Sequence, residues 1–165
     1  MEIETDLNLR QGARALIIDE HDCVLLVRFE FEHATVWAAP GGGVDDGEQA
    51  PDCLHRELRE ELGATGLAIG PEVWQRTHVF PMTTGHDGQV DRFYLVRAPR
   101  FDPEPALGWE AMRAEHVHEM RWWSVAEIAT AGERGDVLFA PRRIAELLAP
   151  VLGGHLPDTP IDTGI

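Results

Sequence analysis

Three consecutive glycines, 41–43, lead into a stretch in which Ala50, Leu54, Leu58 and Leu62 recur every fourth residue. That spacing stacks the four side chains on one side of an α-helix, with Pro51 and Asp52 suited to its first turn and Gly63 to its end. The flanks have a different period. Residues 14–18 and 23–29 are short β-branched and leucine-rich runs separated by Asp19-Glu20-His21-Asp22, the pattern of a hairpin, and 35–39 reads as another short strand. Beyond the helix, 72–80, 90–97 and 118–123 read as strands divided by a turn at 83–88 and a proline-rich stretch at 99–105. Ser124 is placed to cap a helix from Val125 to about Ala131, and Pro141 to Leu152 carries a second apolar stripe. A one-sided helix among half-buried strands needs a sheet to cover its stripe, so the expected fold class is α/β.

The 165 residues allow one core rather than two, so a single domain is expected over 1–152, followed by a loose tail over 153–165 that carries Gly, Pro and Thr. All fourteen basic residues are arginine, against 29 acidic ones, for a net charge of −15. A surface of that sign repels a polynucleotide backbone, and no nucleic-acid polymer is expected as a partner. An anionic ligand then needs either a bound cation or a local arginine cluster. Cys23 and Cys53, both in apolar runs, do not make a disulfide framework, and neither a basic leader nor an apolar run of about 18 residues is present. A cytoplasmic protein with no membrane contact is the expectation.

The chemistry concentrates on the predicted helix. At about 100° per residue, Glu61 falls seven residues after Leu54 and three after Leu58, next to the apolar stripe, with Glu57 at its flank and Glu60 further round. A buried unpaired carboxylate is costly, and three on adjacent faces repel one another. A hard divalent cation with oxygen ligands, Mg²⁺ or Mn²⁺, removes both objections, since Glu57 and Glu61 lie one turn apart and Glu60 adds another donor. Mg²⁺ normally shares its shell with substrate phosphates, so the inferred ligand is a metal-bound polyphosphate. The plainer reading is a solvated acidic helix with Arg56 and Arg59 in surface ion pairs. It does not account for a glutamate beside the apolar stripe, nor for a triple glycine that lets backbone approach a ligand closely.

Gly42 to Ala64 resembles the Nudix box, GX5EX7REUXEEXGU, where U is a bulky aliphatic residue. Gly42, Glu48, Arg56, Glu57, Glu60, Glu61 and Gly63 match every fixed letter, and only Ala64, small for the last aliphatic slot, departs. The order of strands and helices around the box is also similar to that family's α/β/α sandwich with a mixed β-sheet. The resemblance implies that Glu57, Glu60 and Glu61 bind cations, one of them able to act as base for the attacking water. It further implies the Gly41 carbonyl as a backbone ligand, and Arg56 with Glu48 as the pair that orients the helix carboxylates. A further glutamate beyond the box often completes such a site, and Glu115 ranks ahead of Glu119 for it.

The reaction implied is metal-dependent hydrolysis of the pyrophosphate linkage of a nucleoside diphosphate joined to another moiety. The substrate would be a small nucleotide, either a nucleoside triphosphate or a nucleotide sugar of the ADP-ribose type. Trp37 and Phe80 are candidates to stack on a base and Arg28 and Arg92 to hold phosphate, with Phe29, Phe31 and Arg76 behind them. Downstream signatures do not choose a substrate: Pro81 is late for the ADP-ribose mark, and the only tyrosine is Tyr94. The alternative is a non-catalytic module that binds a nucleotide metabolite for regulation, for which an eroded box would be expected. A homodimer is compatible with either reading. His116 and His118 lack a third ligand at suitable spacing, so zinc is not expected.

Overall fold

The computed structural model describes residues 6–135 and 137–164. In chain order the elements are β1 (Leu9–Ile18), β2 (Val24–Phe31), β3 (Ala34–Ala38), β4 (Gly41–Gly43), α1 (Ala50–Leu62), β5 (Glu72–Val79), β6 (Gly88–Arg97), α2 (Trp109–Ala114), β7 (Val117–Trp123), α3 (Val125–Arg134), β8 (Leu138–Ala140), α4 (Ile144–Leu152) and β9 (Ile161–Asp162). The strands form one mixed sheet in the order β8-β3-β2-β1-β6-β5-β9, with β4 added beside β1 and β7 beside β2. The β1/β6, β3/β8 and β5/β9 pairs are parallel and the rest antiparallel.

Because successive residues of a strand face opposite sides, the sheet feeds two cores. Leu16, Ile18, Leu26, Trp74 and Phe93 pack with Ile128 of α3 and with Ile144 and Leu148 of α4. The intervening Ala13, Ala15, Ile17 and Leu25 meet Cys53, Leu54, Leu58 and Leu62 of α1. The result is the expected α/β/α sandwich, and the stripe read from the sequence is the buried side of α1. Met112 of α2 seats separately on Val27 and Val117.

The sheet is not evenly laced. β1 and β2 are in register only at Ile18 and Val24, beside their turn. That turn is pinned by Asp19, whose Oδ1 accepts the His21 and Cys23 N–H groups, each at 2.9 Å, and whose Oδ2 accepts Arg100 Nε at 2.7 Å. Away from it the strands part, β4 pairing with Gly12–Arg14 of β1 while β7 pairs with β2. The gap between the two halves receives the end of α1.

Several expectations are corrected. β1 begins five residues before the predicted start, its first half carrying Arg10, Gln11, Gly12 and Arg14 in place of an apolar alternation. The 41–43 glycines, not read as a strand from the sequence, form one, held by β1 despite poor strand propensity. α2 and β8 were not predicted. α3 extends to Arg134 behind a full capping box between Ser124 and Glu127, and α4 starts at Ile144 rather than Pro141. In the segment expected to be a loose tail, β9 lies along β5 and Thr163 N–H donates to Gln75 O at 2.9 Å; Met1–Thr5 and Ile165 lie outside the described residues. Among the described residues no helix is long and apolar enough to cross a membrane.

Candidate active site

The glutamates of α1 and the glycines of β4 meet because the helix packs its apolar side directly on β1. Arg56, Glu57, Glu60 and Glu61 project into a cavity of about 360 Å³, walled opposite by Gly41–Gly43, Arg10, Arg14 and Phe29 and closed by Leu107, Glu115 and Val117. Glycine is required at position 41, and at position 42 it leaves the Glu57 carboxylate its place. A Cβ on Gly41, at φ +145°, would collide with the Ala13 carbonyl, and one on Gly42 would collide with the Glu57 carboxylate. The helix carboxylates therefore lie against bare backbone.

Glu61 is 7% exposed, and its one hydrogen bond among the described residues runs from Gly41 N–H to Oε2 at 3.3 Å. Burial pushes its carboxyl up to about 8, the Arg14 charge and the Gly41 N–H opposing and Glu57 and Glu115 adding to the rise. Burial also raises Glu57, against the pull of Arg56. Arg14 reaches over from β1, donating from Nε to Asp91 Oδ1 at 3.2 Å and from Nη1 to Gly41 O at 3.3 Å. Desolvation disfavours its charge, but Asp91, Glu61 and Glu57 more than restore it.

Arg56 is the brace of the site. Its Nε and Nη2 each lie 3.0 Å from one oxygen of Glu48, a fork-on-fork pair, while Nη1 donates to Glu57 Oε1 at 2.8 Å and Nη2 to Gly43 O at 3.2 Å. The Arg56 hydrogen bonds, with the Asp45 N–H, hold Glu48 down to about 2. Beneath the brace, burial pushes the Cys53 thiol up to about 12, so it is an inert packing group rather than a nucleophile.

Glu57, Glu60, Glu61 and Glu115 thus surround one cavity. Among the described residues, no three His, Cys, Asp or Glu side chains already converge on one point as a finished metal cage. Arg56 Nη1 meanwhile stands 2.8 Å from Glu57 and 3.6 Å from Glu60. The donor set still suits a hard divalent ion: all ligand atoms are oxygens, and the most buried of them lacks the hydrogen bonds that would satisfy an anion.

The structure brings Gly41, Glu48, Arg56, Glu57, Glu60, Glu61 and Glu115 together. Glu119 is elsewhere, 3.2 Å from Arg28. Of the residues considered for substrate, Trp37, Arg28, Arg92 and Phe80 do not line this cavity. Trp37 is a core residue, 4% exposed and edge-on to Trp123 at 5.0 Å, which corrects its reading as a base-stacking platform. Arg28 is held by Glu30 and Glu119, Arg92 faces Glu72 at 3.5 Å, and Phe80, just past the end of β5, packs tilted against His78 with ring centroids 4.5 Å apart. Phe29 does line the cavity, as do Arg10 and Arg14, which were not singled out. An arginine set directly against the run of buried aliphatics at 15–18 was the available signal for Arg14. Its partner Asp91 lies 77 positions away, which no local pattern could show.

A NUDIX domain model matches residues 8–143. The RNA pyrophosphohydrolase of Campylobacter jejuni subsp. doylei is 30% identical over 105 residues, 58% of this chain and 67% of that protein. Among solved structures, the MutT protein of Methanosarcina mazei Go1 superposes with a TM-score of 0.63 at 20% identity, over 92% of this chain and 98% of that one. The NUDIX domain of Shewanella oneidensis NrtR, complexed with ADP ribose, gives 0.63 at 18% identity over 87% and 88% of the respective chains. These two structural likenesses concern the fold.

Proposed function

The chain belongs to the Nudix domain family, whose members use divalent metal ions, and as a pyrophosphohydrolase of that family we propose that it cleaves the phosphoanhydride linkage of a small nucleotide with Mg²⁺ or Mn²⁺. The observation that carries this is Glu61, buried with one 3.3 Å hydrogen bond in a cavity it shares with Glu57, Glu60 and Glu115. Among the described residues the cations lining that cavity are Arg10, Arg14 and Arg56, and the last two are already engaged by Asp91 and Glu48.

When bound, the cation would neutralise the pyrophosphate oxygens and lower the barrier to attack of water on phosphorus. Glu57, Glu60 and Glu61 would hold it from the helix, with Glu115 and the Gly41 carbonyl as the remaining oxygen donors. Arg56 fixes the Glu57 rotamer through the 2.8 Å bond and is itself fixed by Glu48, so carboxylate positions are set before substrate arrives. One of the helix carboxylates accepts the proton of the attacking water, the P–O bond to the leaving phosphate breaks, and no covalent intermediate with the protein is needed. Phe29 and Leu107 close the cavity on its apolar sides and limit access of bulk water.

The test is a panel of nucleoside triphosphates, nucleotide sugars and ADP-ribose, joined by a 5′-triphosphorylated oligoribonucleotide because the sequence relatives are named RNA pyrophosphohydrolases. Released phosphate, pyrophosphate and nucleoside monophosphate are measured with Mg²⁺ and with a chelator. Metal-dependent cleavage of at least one member is expected; binding without cleavage across the panel would favour the regulatory module.

A further inference from the structure

A second, smaller cavity of about 100 Å³ adjoins the first, sharing Arg14 and Phe29 as walls and reaching Arg76 of β5 and Asp91 and Phe93 of β6. Its charges are the reverse of those beside it. The single carboxylate, Asp91, is 8% exposed and already accepts Arg14 Nε at 3.2 Å and Gln89 Nε2 at 2.8 Å on Oδ1. Arg76, its cross-strand neighbour on β5, has an Nε that is buried and without a hydrogen-bond partner among the described residues.

Burial disfavours the Arg76 charge most, and the like charges of Arg14 and Arg142 add to that, with Asp91 alone opposing. The same Arg76 and Arg142 charges act on His78. Two guanidinium groups, Arg14 and Arg76, thus wall one small cavity of a chain that carries a net charge of −15. A buried donor without an acceptor costs free energy of the order of a lost hydrogen bond, and an anion reaching from the first cavity would supply the acceptor while relieving the mutual repulsion.

Resting on the hydrolase reading for its substrate, we propose that Arg76, in the cavity it shares with Arg14, forms an anion subsite that holds a phosphate of the substrate not bridged by metal. That phosphate could be the distal group of a nucleoside polyphosphate or the phosphodiester of a second nucleotide. Both present the tetrahedral oxyanion that a guanidinium fork matches. Specificity then comes from the arginine side of the site and bond cleavage from the carboxylate side.

The test begins in a chelator, where the carboxylates repel anions and cannot recruit them through a cation. Inorganic pyrophosphate is titrated calorimetrically into the wild-type protein, Arg76→Met and Arg142→Gln. Saturable binding is expected for wild type, weakened at least tenfold in Arg76→Met and by less than that in Arg142→Gln, an exposed residue outside the cavity lining. Absence of saturable binding to wild type, or equal binding by all three, overturns the subsite whether or not any substrate is hydrolysed. With Mg²⁺, KM is compared for a nucleoside triphosphate and a 5′-triphosphorylated dinucleotide. A rise of at least tenfold in Arg76→Met with kcat retained is expected for one of them and identifies which phosphate is read; unchanged KM for both contradicts the proposal.

Discussion

Asp19 and Glu61 are both buried carboxylates, 3% and 7% exposed, yet burial has opposite outcomes at the two. At the β1–β2 turn, burial alone would raise Asp19, but the Cys23 N–H, Arg100 and the His21 N–H together hold it below the ordinary aspartate value. At the end of α1, burial acts on Glu61 with one 3.3 Å hydrogen bond and other acids nearby, and its carboxyl rises to about 8. A buried acid with its hydrogen bonds made is part of the scaffold. One left short of them is held for something that arrives later, and the surrounding fold bears the cost.

Exchanging each acid for its amide should therefore break the two regions in opposite ways. Glu61→Gln is expected to lower turnover by about 10²- to 10⁴-fold, the range for loss of a group that holds or moves a proton at the reacting centre, while the thermal midpoint of the metal-free protein near neutral pH stays level, because the buried carboxyl is already protonated below about 8. Asp19→Asn is expected to leave turnover per folded molecule unchanged and to cost about 2–3 kcal/mol of stability, as charged hydrogen bonds to His21, Cys23 and Arg100 are lost. Urea unfolding paired with initial rates separates the outcomes; a stability loss in both variants with turnover kept in both would erase the distinction.

The brace between these extremes is Arg56. Arg56→Lys keeps the charge but cannot span both Glu48 oxygens and Glu57 together. A fall in kcat of about 10- to 100-fold is expected, typical of groups that orient metal ligands. Full activity in steady-state assays would reduce the fork to surface decoration.

Smallest in effect, and sharpest in sign, is the pH dependence of the metal-free protein. Unfolded Glu61 ionises near 4.5 while the folded group stays protonated to about 8. The folded chain binds more protons across that window, so this contribution to stability is lost as pH rises through it. Asp19 runs the other way: its folded value lies below the unfolded 3.8, so its contribution is complete above that value and lost as pH falls through the folded one. Denaturant midpoints from pH 3 to 9 in a chelator should show a falling limb that Glu61→Gln flattens and an acid limb that Asp19→Asn flattens.

The difference between the two regions also governs what could be read from the sequence. The α1 stripe, the hairpin and the glutamate beside Leu58 follow from local periodicity, and all reappear in place. Long-range partners do not. β4 is a strand only because Gly12–Arg14 of β1 lies alongside; α2 is six residues long with one buried side chain, yet it delivers Glu115 to the cavity. Trp37 looked able to stack on a base and is core, because composition does not reveal that Trp123 and Phe139 lie on the same face. Arg14 and Arg76 acquire their meaning from Asp91 on a strand far along the chain.

Equilibrium titration of Mn²⁺ into the wild-type protein and Glu61→Gln, followed by the loss of the free-ion paramagnetic resonance signal, tests the central claim most directly. Saturable binding by wild type that weakens at least tenfold in the variant is the predicted result. Binding of equal strength in both, or none in either, would contradict the assignment of the α1 carboxylates to a cation.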